Sequence, residues 1–362
     1  MRTMTLIRHA HPDFPLHAHM CLGRTDLPLG AFGRMQAALF HEQIKGLSLG
    51  SVFSSPLLRC RETAAFIMSG AEIATVPDLM EQNMGIWDGL SFAEIQKRWP
   101  ELHEKRGVDP LLVPDGAETL AQVQDRVLHV IQDLLTKTSG DITLITHASV
   151  IQAVLAAWTG TPLAESRVFR LPYVGSVQLV LGDDGRFEGN NMHQYLTFPV
   201  PPLTPALAEK LLKAAAPGEH ILLHSRAVAE KALAIADALP LPLDRELLAS
   251  AALLHDVARS QGKRSHAETG ADWICELGYS AAADLIRQHH DLLRKELNEA
   301  SVLYLADKCI REDKEVCLEE RFAASEAKCV TAEAKAAHAA RRQMAFFLRD
   351  QINALCGYEL VR

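Results

Sequence analysis

The sequence predicts two domains of different fold class, an α/β domain followed by an all-α domain. Up to about residue 198, short β-branched runs alternate with helical patterns, which is typical of a three-layer α/β fold with a mostly parallel sheet and helices on both faces. Beyond residue 205, nearly every segment is an alanine- and leucine-rich helical pattern, which predicts a helical bundle. Four prolines within residues 198–205 can continue neither a helix nor a strand.

These patterns place the first domain at residues 1–198, a proline-rich linker at 199–205 and the second domain at 206–362. A length of 362 residues with 48 % apolar residues is enough for two hydrophobic cores. The net charge of −8 argues against a general binder of nucleic acid or of anionic membranes. No apolar run is long enough for a signal peptide or a membrane-spanning helix, and no two of the seven cysteines form a C-x-x-C pair. We therefore expect a cytoplasmic protein with reduced thiols.

Three strands and three helices are predicted in the first domain. The strands are Met4–Ile7, Ser51–Phe53 and Asp141–Thr146, and two of the helices are Ala31–Ile44 and Ser149–Trp158. Ser55 and Pro56 predict the start of the third helix, as an N-cap followed by proline at the first helical position.

Seven helices are predicted in the second domain, at residues 205–215, 227–238, 245–258, 266–277, 281–293, 299–312 and 331–355. Ser265 and Glu268 form an S-x-x-E capping box for the fourth of them. The last helix carries apolar residues on one side and charges on the other. That pattern favours packing on the bundle, and a contact between two copies in a homodimer is the alternative.

Basic side chains follow three predicted strands of the first domain. Arg8 and His9 follow the first strand, His147 follows another, and Arg59 lies in the first turn of a helix after a third. Residues that leave the carboxyl ends of parallel strands face one crevice, so these four should meet there. Guanidinium groups and imidazoles in such a crevice suit a phosphoryl group, whose negative charge is spread over its oxygens.

The order of the motifs resembles the histidine phosphatase superfamily, which includes the cofactor-dependent phosphoglycerate mutases and the α-ribazole phosphatases. The resemblance covers about residues 3–195. The matching motifs, in chain order, are RHA at 8–10, GRTDLPL at 23–29, SSPLLRCRETA at 54–64, MEQNMGIWDGL at 80–90, PDGAETL at 114–120 and ITHAS at 145–149.

The resemblance implies a role for each residue of this crevice, with no cofactor. His9 would be the nucleophile and form a phosphohistidine, for which a hydrogen bond must fix its tautomer. Arg8, Arg59 and His147 would hold the phosphoryl oxygens. Glu81 would protonate the leaving oxygen and then activate water.

Several positions leave alternatives open in the first domain. Arg24, in the GRTDLPL motif, is expected to bind substrate. Asp88 competes with the acid named above, although its position in a GxWDG turn is more typical of a structural residue. Ala10 and Ala148 stand where the family has glycine, which keeps a non-catalytic phosphate-ligand sensor as an alternative. The same chemistry also permits a mutase.

A second set of polar residues lies on the helices of the second domain. His255 and Asp256 end an otherwise apolar helix, which is costly unless they are paired or bind a metal. The other members of the set are His224, His266, His289, His290 and Asp307. Neutral imidazoles with carboxylates suit iron or manganese, and suit zinc less well when no cysteine takes part.

This set resembles the HD metal-dependent phosphohydrolase superfamily over about residues 220–312, and is most similar to the bacterial HD-domain diadenosine tetraphosphate hydrolases. The resemblance implies two divalent ions per domain. The implied ligands are His224, His255, Asp256 and Asp307 for the first ion, with Asp256 bridging to a second ion bound by His266 and His289. His289 is preferred over His290 because the family's ligand follows Ile-Arg-x directly, and Arg259 is expected to bind a substrate phosphate.

Together the two sets of residues predict a bifunctional phosphate-ester hydrolase. The first domain would act on a small phosphorylated metabolite, and the second on a nucleotide-like phosphate ester or anhydride. An HD-type di-iron oxygenase is the alternative for the second domain.

Overall fold

The computed structural model describes residues 2–15, 19–69, 73–182, 193–260, 266–327 and 329–362. The chain divides into two compact units, Met1–Pro199 and Val200–Arg362. The first unit is α/β and the second is helical, in agreement with the predicted fold class.

A six-stranded, mostly parallel sheet forms the centre of the first unit. Its strands are β1 (Thr3–Arg8), β2 (Ser51–Ser54), β3 (Ala74–Thr75), β4 (Ile142–Thr146), β5 (Ser176–Val180) and β6 (His193–Leu196). The order across the sheet is β3-β2-β4-β1-β5-β6. The first four strands are parallel, whereas β5 pairs antiparallel with β1, and β6 antiparallel with β5. Strands β3, β5 and β6 were not predicted; β3 and β6 lie at the two edges of the sheet, whereas β5 is an inner strand of five residues.

Among the described residues, six α-helices accompany this sheet. They are α1 (Ala31–Gln43), α2 (Leu58–Ile67), α3 (Phe92–Arg98), α4 (Pro100–Val108), α5 (Leu120–Lys137) and α6 (Ala148–Thr159). Met4 and Leu6 of β1 lie in one buried cluster with residues of α5 and α6, whereas Ile7 lies in another with residues of α1 and α2. Because successive side chains of a strand point to opposite faces, both faces of the sheet are covered.

The predicted start of α2 is wrong by two residues. The helix begins at Leu58, with Leu57 rather than Ser55 as its N-cap. The hydroxyl of Ser55 lies 2.8 Å from Nε2 of His147, on a distant segment of the chain. The same hydroxyl accepts from the backbone N–H of Leu57 at 3.4 Å, so Ser55 lies just before the helix and contacts His147 rather than serving as its N-cap.

The second unit consists of eight helices and one short hairpin within the described residues. The helices are α7 (Pro205–Ala215), α8 (Glu219–Ala238), α9 (Arg245–Leu254), α10 (His266–Glu276), α11 (Ser280–Arg287), α12 (Glu299–Cys309), α13 (Leu318–Glu326) and α14 (Ala332–Cys356). The hairpin pairs β7 (Ile310–Arg311) with β8 (Lys314–Glu315).

Several of these helices differ in length from the prediction. α8 begins eight residues earlier than residue 227 and so includes His224, while α9 stops at Leu254 and leaves His255 and Asp256 in the following turn. α11 and α12 also end earlier, and the hairpin directly follows α12. Ser265, half of the predicted capping box, lies outside the described residues.

Helix α14 packs within the second unit. Its buried residues include Leu348 and Ile352, and the hydroxyl of Tyr304 on α12 donates to the carbonyl of Arg341 at 2.7 Å. In the described parts of the chain, we find no helix with the length and apolar character needed to cross a membrane.

Candidate active sites

His9 and His147 meet because β1 and β4 are adjacent, parallel and end together. Arg8 pairs with Thr146 at the strand ends, so each histidine is the first residue beyond its strand. Both side chains are buried, and their ring centroids lie 5.1 Å apart. The sequence prediction of a shared crevice therefore agrees with the position of these two residues.

The tautomer of His9 is fixed by its own backbone. Its Nδ1 lies 2.7 Å from the carbonyl oxygen of Ala10. A carbonyl can only accept, so Nδ1 carries the proton and Nε2 keeps a lone pair. Burial, followed by the nearby charge of Arg59, lowers the pKa of His9 well below its usual value. His9 is thus a neutral imidazole with a basic nitrogen available for attack.

His147 occupies the N-cap position of α6, the first helix after β4. Besides the Ser55 contact, its Nε2 lies 3.4 Å from the thiol sulfur of Cys60. Burial and the charge of Arg59 lower its pKa well below the usual value. The ring is therefore held in place by two side chains that sequence reasoning did not assign to the site.

Arg59 is completely buried on α2. Its guanidinium donates to the carbonyl oxygens of Thr25 at 2.9 Å and of Gly23 at 2.7 Å, while its buried Nε has no hydrogen-bond partner in the described chain. Burying a charged donor without a partner costs folding free energy. The negatively charged oxygens of a phosphoryl group are suitable acceptors for such a donor.

Arg8 is held by a segment that the sequence analysis did not single out. It donates to the carbonyl of Leu171 at 2.7 Å, and its guanidinium carbon lies 4.1 Å from the centroid of the Tyr173 ring. That ring also lies 5.6 Å from the ring of His9. Next to it, Val174 has φ of 52°, a strained conformation for a β-branched residue. No motif or spacing in the sequence predicted that Tyr173 lies at this site.

Glu81 is buried beside α6. Its Oε1 accepts from the backbone N–H of Gln82 at 2.8 Å, and its Oε2 from that of Ser149 at 3.4 Å. Burial raises the pKa of Glu81, although these two hydrogen bonds and the charge of Arg59 oppose the shift. A carboxyl group with a raised pKa suits the role of a proton donor.

Both carboxylate oxygens of Asp88 are occupied by backbone groups. Oδ1 accepts from Gly23 at 2.9 Å, and Oδ2 accepts from Arg24 at 2.7 Å and Thr25 at 3.0 Å. The carbonyls of this same loop hold Arg59. Asp88 therefore supports the position of Arg59, which agrees with the structural interpretation of the GxWDG turn.

A cavity of about 360 Å³ adjoins this crevice. It extends from Glu81, Ala148 and Ser149 to the aromatic rings of Trp87 and Phe92. Ala148, which stands where the family has glycine, is one of the residues that line this cavity. The side chain of Arg24 is 40 % exposed and lies 3.6 Å from the carboxylate of Glu118.

In the second unit, three histidines have the same tautomer. Nδ1 of His224 lies 2.7 Å from the Glu312 carbonyl, Nδ1 of His255 lies 2.7 Å from the Ala252 carbonyl, and Nδ1 of His289 lies 2.7 Å from the Ile286 carbonyl. Each Nδ1 must therefore donate, so the lone pair with which each ring can bind a metal lies on Nε2. Backbone carbonyls orient metal-binding histidines in this way.

These lone pairs converge on two buried carboxylates. Nε2 of His224 lies 3.2 Å from Asp307 Oδ1, and Nε2 of His255 lies 3.7 Å from both Asp307 Oδ1 and Asp256 Oδ2. Nε2 of His289 lies 3.7 Å, and that of His266 3.0 Å, from Asp256 Oδ1. The Nε2 atoms of His255 and His289 are buried and have no hydrogen-bond partner in the described residues. This donor set fits a divalent metal, whose bonds would satisfy the orphaned nitrogens.

The ligand atoms form overlapping groups, in each of which all atoms lie within 4.8 Å of one another. The groups are His224–His255–Asp307, His255–Asp256–His289 and His266–His289–His290. Asp256 thus lies between the two ends of the cluster, as a bridging ligand requires.

His290, which the sequence analysis ranked below His289, also reaches the cluster. Its Nε2 lies 2.9 Å from Nε2 of His266. Burial lowers the pKa of both His289 and His290, that of His289 to about 3. Both imidazoles are therefore neutral. Because both histidines lie at the cluster, their positions in the sequence alone could not decide which of them binds a metal.

Two cations neighbour the carboxylates. Buried Lys308 donates to Asp307 Oδ2 at 2.7 Å and to the His289 carbonyl at 3.0 Å. Burial alone would raise the pKa of Asp307, but Lys308 and the histidines hold it well below its usual value. Arg259 donates to Asp256 Oδ2. The sequence analysis did not assign a role to Lys308.

Comparison with known proteins assigns a different family to each of the two units. The family model described as the histidine phosphatase superfamily (branch 1) matches residues 4–193. The chain belongs to this superfamily. The HD domain model matches residues 221–312. The chain is thus a phosphatase or phosphohydrolase, and its HD domain implies divalent-metal binding.

Among curated relatives, an uncharacterised phosphatase, PhoE, of Bacillus subtilis is 28 % identical over 44 % of this chain and 79 % of its own. A glucosyl-3-phosphoglycerate phosphatase of Mycolicibacterium vanbaalenii is 26 % identical over 45 % of this chain and 76 % of its own. The solved structure of mycobacterial hydrolase 2 matches with a TM-score of 0.50 at 22 % identity, covering 59 % of this chain and 96 % of that one, which shows a shared fold.

Proposed function

We propose that the first unit is a phosphomonoesterase that acts through a phosphohistidine at His9. The observation that carries this proposal is the hydrogen bond from His9 Nδ1 to the Ala10 carbonyl, which leaves a neutral, basic Nε2. Attack by Nε2 forms a phosphorus–nitrogen bond and breaks the bond to the leaving oxygen. Arg8, Arg59 and His147 hold the non-bridging oxygens during transfer.

Glu81 moves the proton in both steps. In the first step its carboxyl group protonates the leaving oxygen, which departs as an alcohol. In the second step its carboxylate accepts a proton from water, the hydroxide oxygen bonds to phosphorus, and the bond to His9 breaks. Inorganic phosphate is released and Glu81 is protonated again. The raised pKa of Glu81 favours the proton-donating form at the start of this cycle.

The substrate of this unit is a small phosphorylated metabolite. The name of the mycobacterial relative, a phosphatase of glucosyl-3-phosphoglycerate, supports this class. The 360 Å³ cavity beside Glu81 is near the lower end of the range of about 300–1,000 Å³ for ligand pockets. Arg24, at the GRTDLPL loop, contacts the substrate beyond its phosphoryl group.

Trapping of the intermediate tests this proposal. The full-length protein, treated with a chelator, is mixed with a ³²P-labelled aryl phosphate and quenched in alkali, in which phosphohistidine survives. We expect label on the wild type and on His129→Ala, an exposed histidine used as the control, and none on His9→Ala. Undiminished chelator-resistant turnover in His9→Ala would contradict the assignment. Transfer to a second hydroxyl without phosphate release would identify a mutase instead.

We further propose that the second unit is a metal-dependent phosphohydrolase with two divalent ions, iron or manganese. The carrying observation is the shared tautomer of His224, His255 and His289, whose Nε2 lone pairs face Asp256 and Asp307. When bound, such ions activate water and polarise a phosphoryl group. The carboxylates offset the charge of the ions, and the backbone carbonyls hold the imidazoles in orientation.

A nucleotide-like ester or anhydride is the proposed substrate of the second unit, as the order of the histidine and aspartate motifs within residues 220–312 predicts. Hydrolysis there leaves a terminal phosphate monoester, which is the class of substrate proposed for the first unit. The two activities would then act in consecutive steps.

Elemental analysis tests the metal site. Asp256→Asn removes the charge that offsets both ions, so it should lose metal from at least one position with unchanged circular dichroism. His266→Ala should lose metal partially, and His129→Ala should retain it. Two ions per chain in Asp256→Asn would contradict the bridging assignment. Oxygen consumption by the iron-loaded protein without phosphate release would identify an oxygenase.

A further inference from the structure

A second cavity, of about 330 Å³, lies against the metal-binding residues of the second unit. His224 and Asp256 form part of its lining. Three arginines also line it, namely Arg259 in the turn after α9, Arg311 on β7 and Arg321 on α13. The cavity therefore joins the proposed reaction centre to three arginines, and Glu312 is the one acidic residue of its lining besides Asp256.

Two of these arginines lack a carboxylate partner in the described parts of the chain. Arg259 is paired with Asp256, but neither Arg311 nor Arg321 forms an ion pair there. The Nε of Arg321 is buried without a hydrogen-bond partner among the described residues. A buried charged donor left unsatisfied is costly, so its position needs an explanation other than folding stability.

Neighbouring basic residues of the same unit behave differently. Arg349 pairs with Glu319 at 2.9 Å, Arg341 pairs with Asp291 at 2.6 Å, and Lys231 pairs with Glu315. Arg311 and Arg321 differ from these three residues because neither has a carboxylate partner among the described residues, and both line the cavity next to the metal cluster. A guanidinium presents a planar set of donors that matches a phosphate group in a bidentate manner.

We propose that Arg311 and Arg321 form an anion subsite for a phosphate group of the substrate other than the one that is hydrolysed. The second unit then takes phosphoanhydrides, with at least two phosphate groups, in preference to substrates with a single one. This inference rests on the proposed phosphohydrolase function. Arg259, which is paired with Asp256, lines the same cavity and would contact an oxygen of the substrate near the reacting phosphorus.

Calorimetric titration of the metal-free, full-length protein with methylenediphosphonate, a diphosphate that cannot be hydrolysed, tests the subsite directly. Binding to the first unit is common to all variants, so differences between variants report on the second. We expect Arg321→Gln and Arg311→Gln each to weaken this binding by about tenfold or more, the typical effect of a charged hydrogen bond. Arg349→Gln, which breaks an existing ion pair, should bind as the wild type does.

The metal-loaded protein then separates the two proposals. Arg321→Gln should lower kcat/KM for a dinucleoside polyphosphate by about tenfold or more, and leave that for bis-p-nitrophenyl phosphate, which has one phosphate group, within about twofold. Wild-type binding of methylenediphosphonate by both variants, with matching thermal unfolding, would overturn the subsite and leave the hydrolase standing. Weakened binding in a protein that hydrolyses neither compound would support the subsite and overturn the hydrolase.

Discussion

Replacing Glu81 by glutamine should slow hydrolysis most for substrates with basic leaving groups. The substitution preserves size, and its amide oxygen can keep the 2.8 Å hydrogen bond from Gln82. Its NH₂ group would face the N–H of Ser149, so one long hydrogen bond of 3.4 Å is lost, at about 1 kcal/mol of folding free energy. The fold should therefore persist. Loss of the proton donor should cost about 10²–10⁴-fold in kcat, or roughly 3–5 kcal/mol in the barrier.

The assay is steady-state kinetics over a series of aryl and alkyl phosphates with graded leaving-group pKa. Because burial raises the pKa of Glu81, its protonated form persists to higher pH than that of a free glutamate. Wild-type kcat/KM should fall as pH rises through this pKa, and that decline should be absent in Glu81→Gln. Because the pKa of His9 is lowered, protonation should remove its nucleophilic form only at acidic pH, below the usual range for histidine.

Glu101→Gln, an exposed residue on α4, is the matched control and should behave as the wild type does. An equal dependence on leaving-group pKa in Glu81→Gln and the wild type would refute this reasoning. The proton would then come from Asp88 or from water.

Substitutions at three further positions have defined outcomes. Asp88→Asn removes an acceptor for the loop that holds Arg59, so we expect the free energy of unfolding to fall by about 1–3 kcal/mol and phosphate to inhibit more weakly. A changed dependence of the rate on leaving-group pKa would contradict a purely structural role for Asp88. Tyr173→Leu removes the ring beside the Arg8 guanidinium and should weaken phosphate binding about 2–30-fold. Tyr173→Phe keeps the ring and should bind phosphate as the wild type does; weak binding by this variant would exclude the cation–π contact as the cause. His290→Ala should lose part of the bound metal by elemental analysis, since its Nε2 faces the cluster, and full occupancy would leave His290 outside the ligand set.

The sequence predicted the main elements of the first site because that site depends on strand ends. Hydrophobic runs locate β1 and β4, and the rule that parallel strands share a crevice brings His9 and His147 together. Local sequence patterns gave a wrong prediction where one side chain has several possible partners. Ser55 was predicted to cap α2, yet its hydroxyl contacts His147.

The rest of the two sites depends on contacts between segments that are distant in sequence. Tyr173 reaches Arg8 from a loop more than 160 residues away, and no periodicity marks that loop. The tautomer of His224 depends on a carbonyl in the hairpin after α12, a hairpin that the sequence analysis did not predict. Motif order identified metal-ligand candidates, but it could not show that His290 reaches the same cluster as His289.

We propose that one chain carries two independent hydrolytic sites. The most direct test compares full-length wild type, His9→Ala and Asp256→Asn on p-nitrophenyl phosphate and on a dinucleoside polyphosphate, each with chelator and with added Mn²⁺. We expect His9→Ala to abolish only the chelator-resistant release of p-nitrophenol, and Asp256→Asn to abolish only the Mn²⁺-dependent cleavage of the dinucleotide. Loss of both activities in either variant that remains folded, or loss of both in chelator, would contradict the presence of two independent sites.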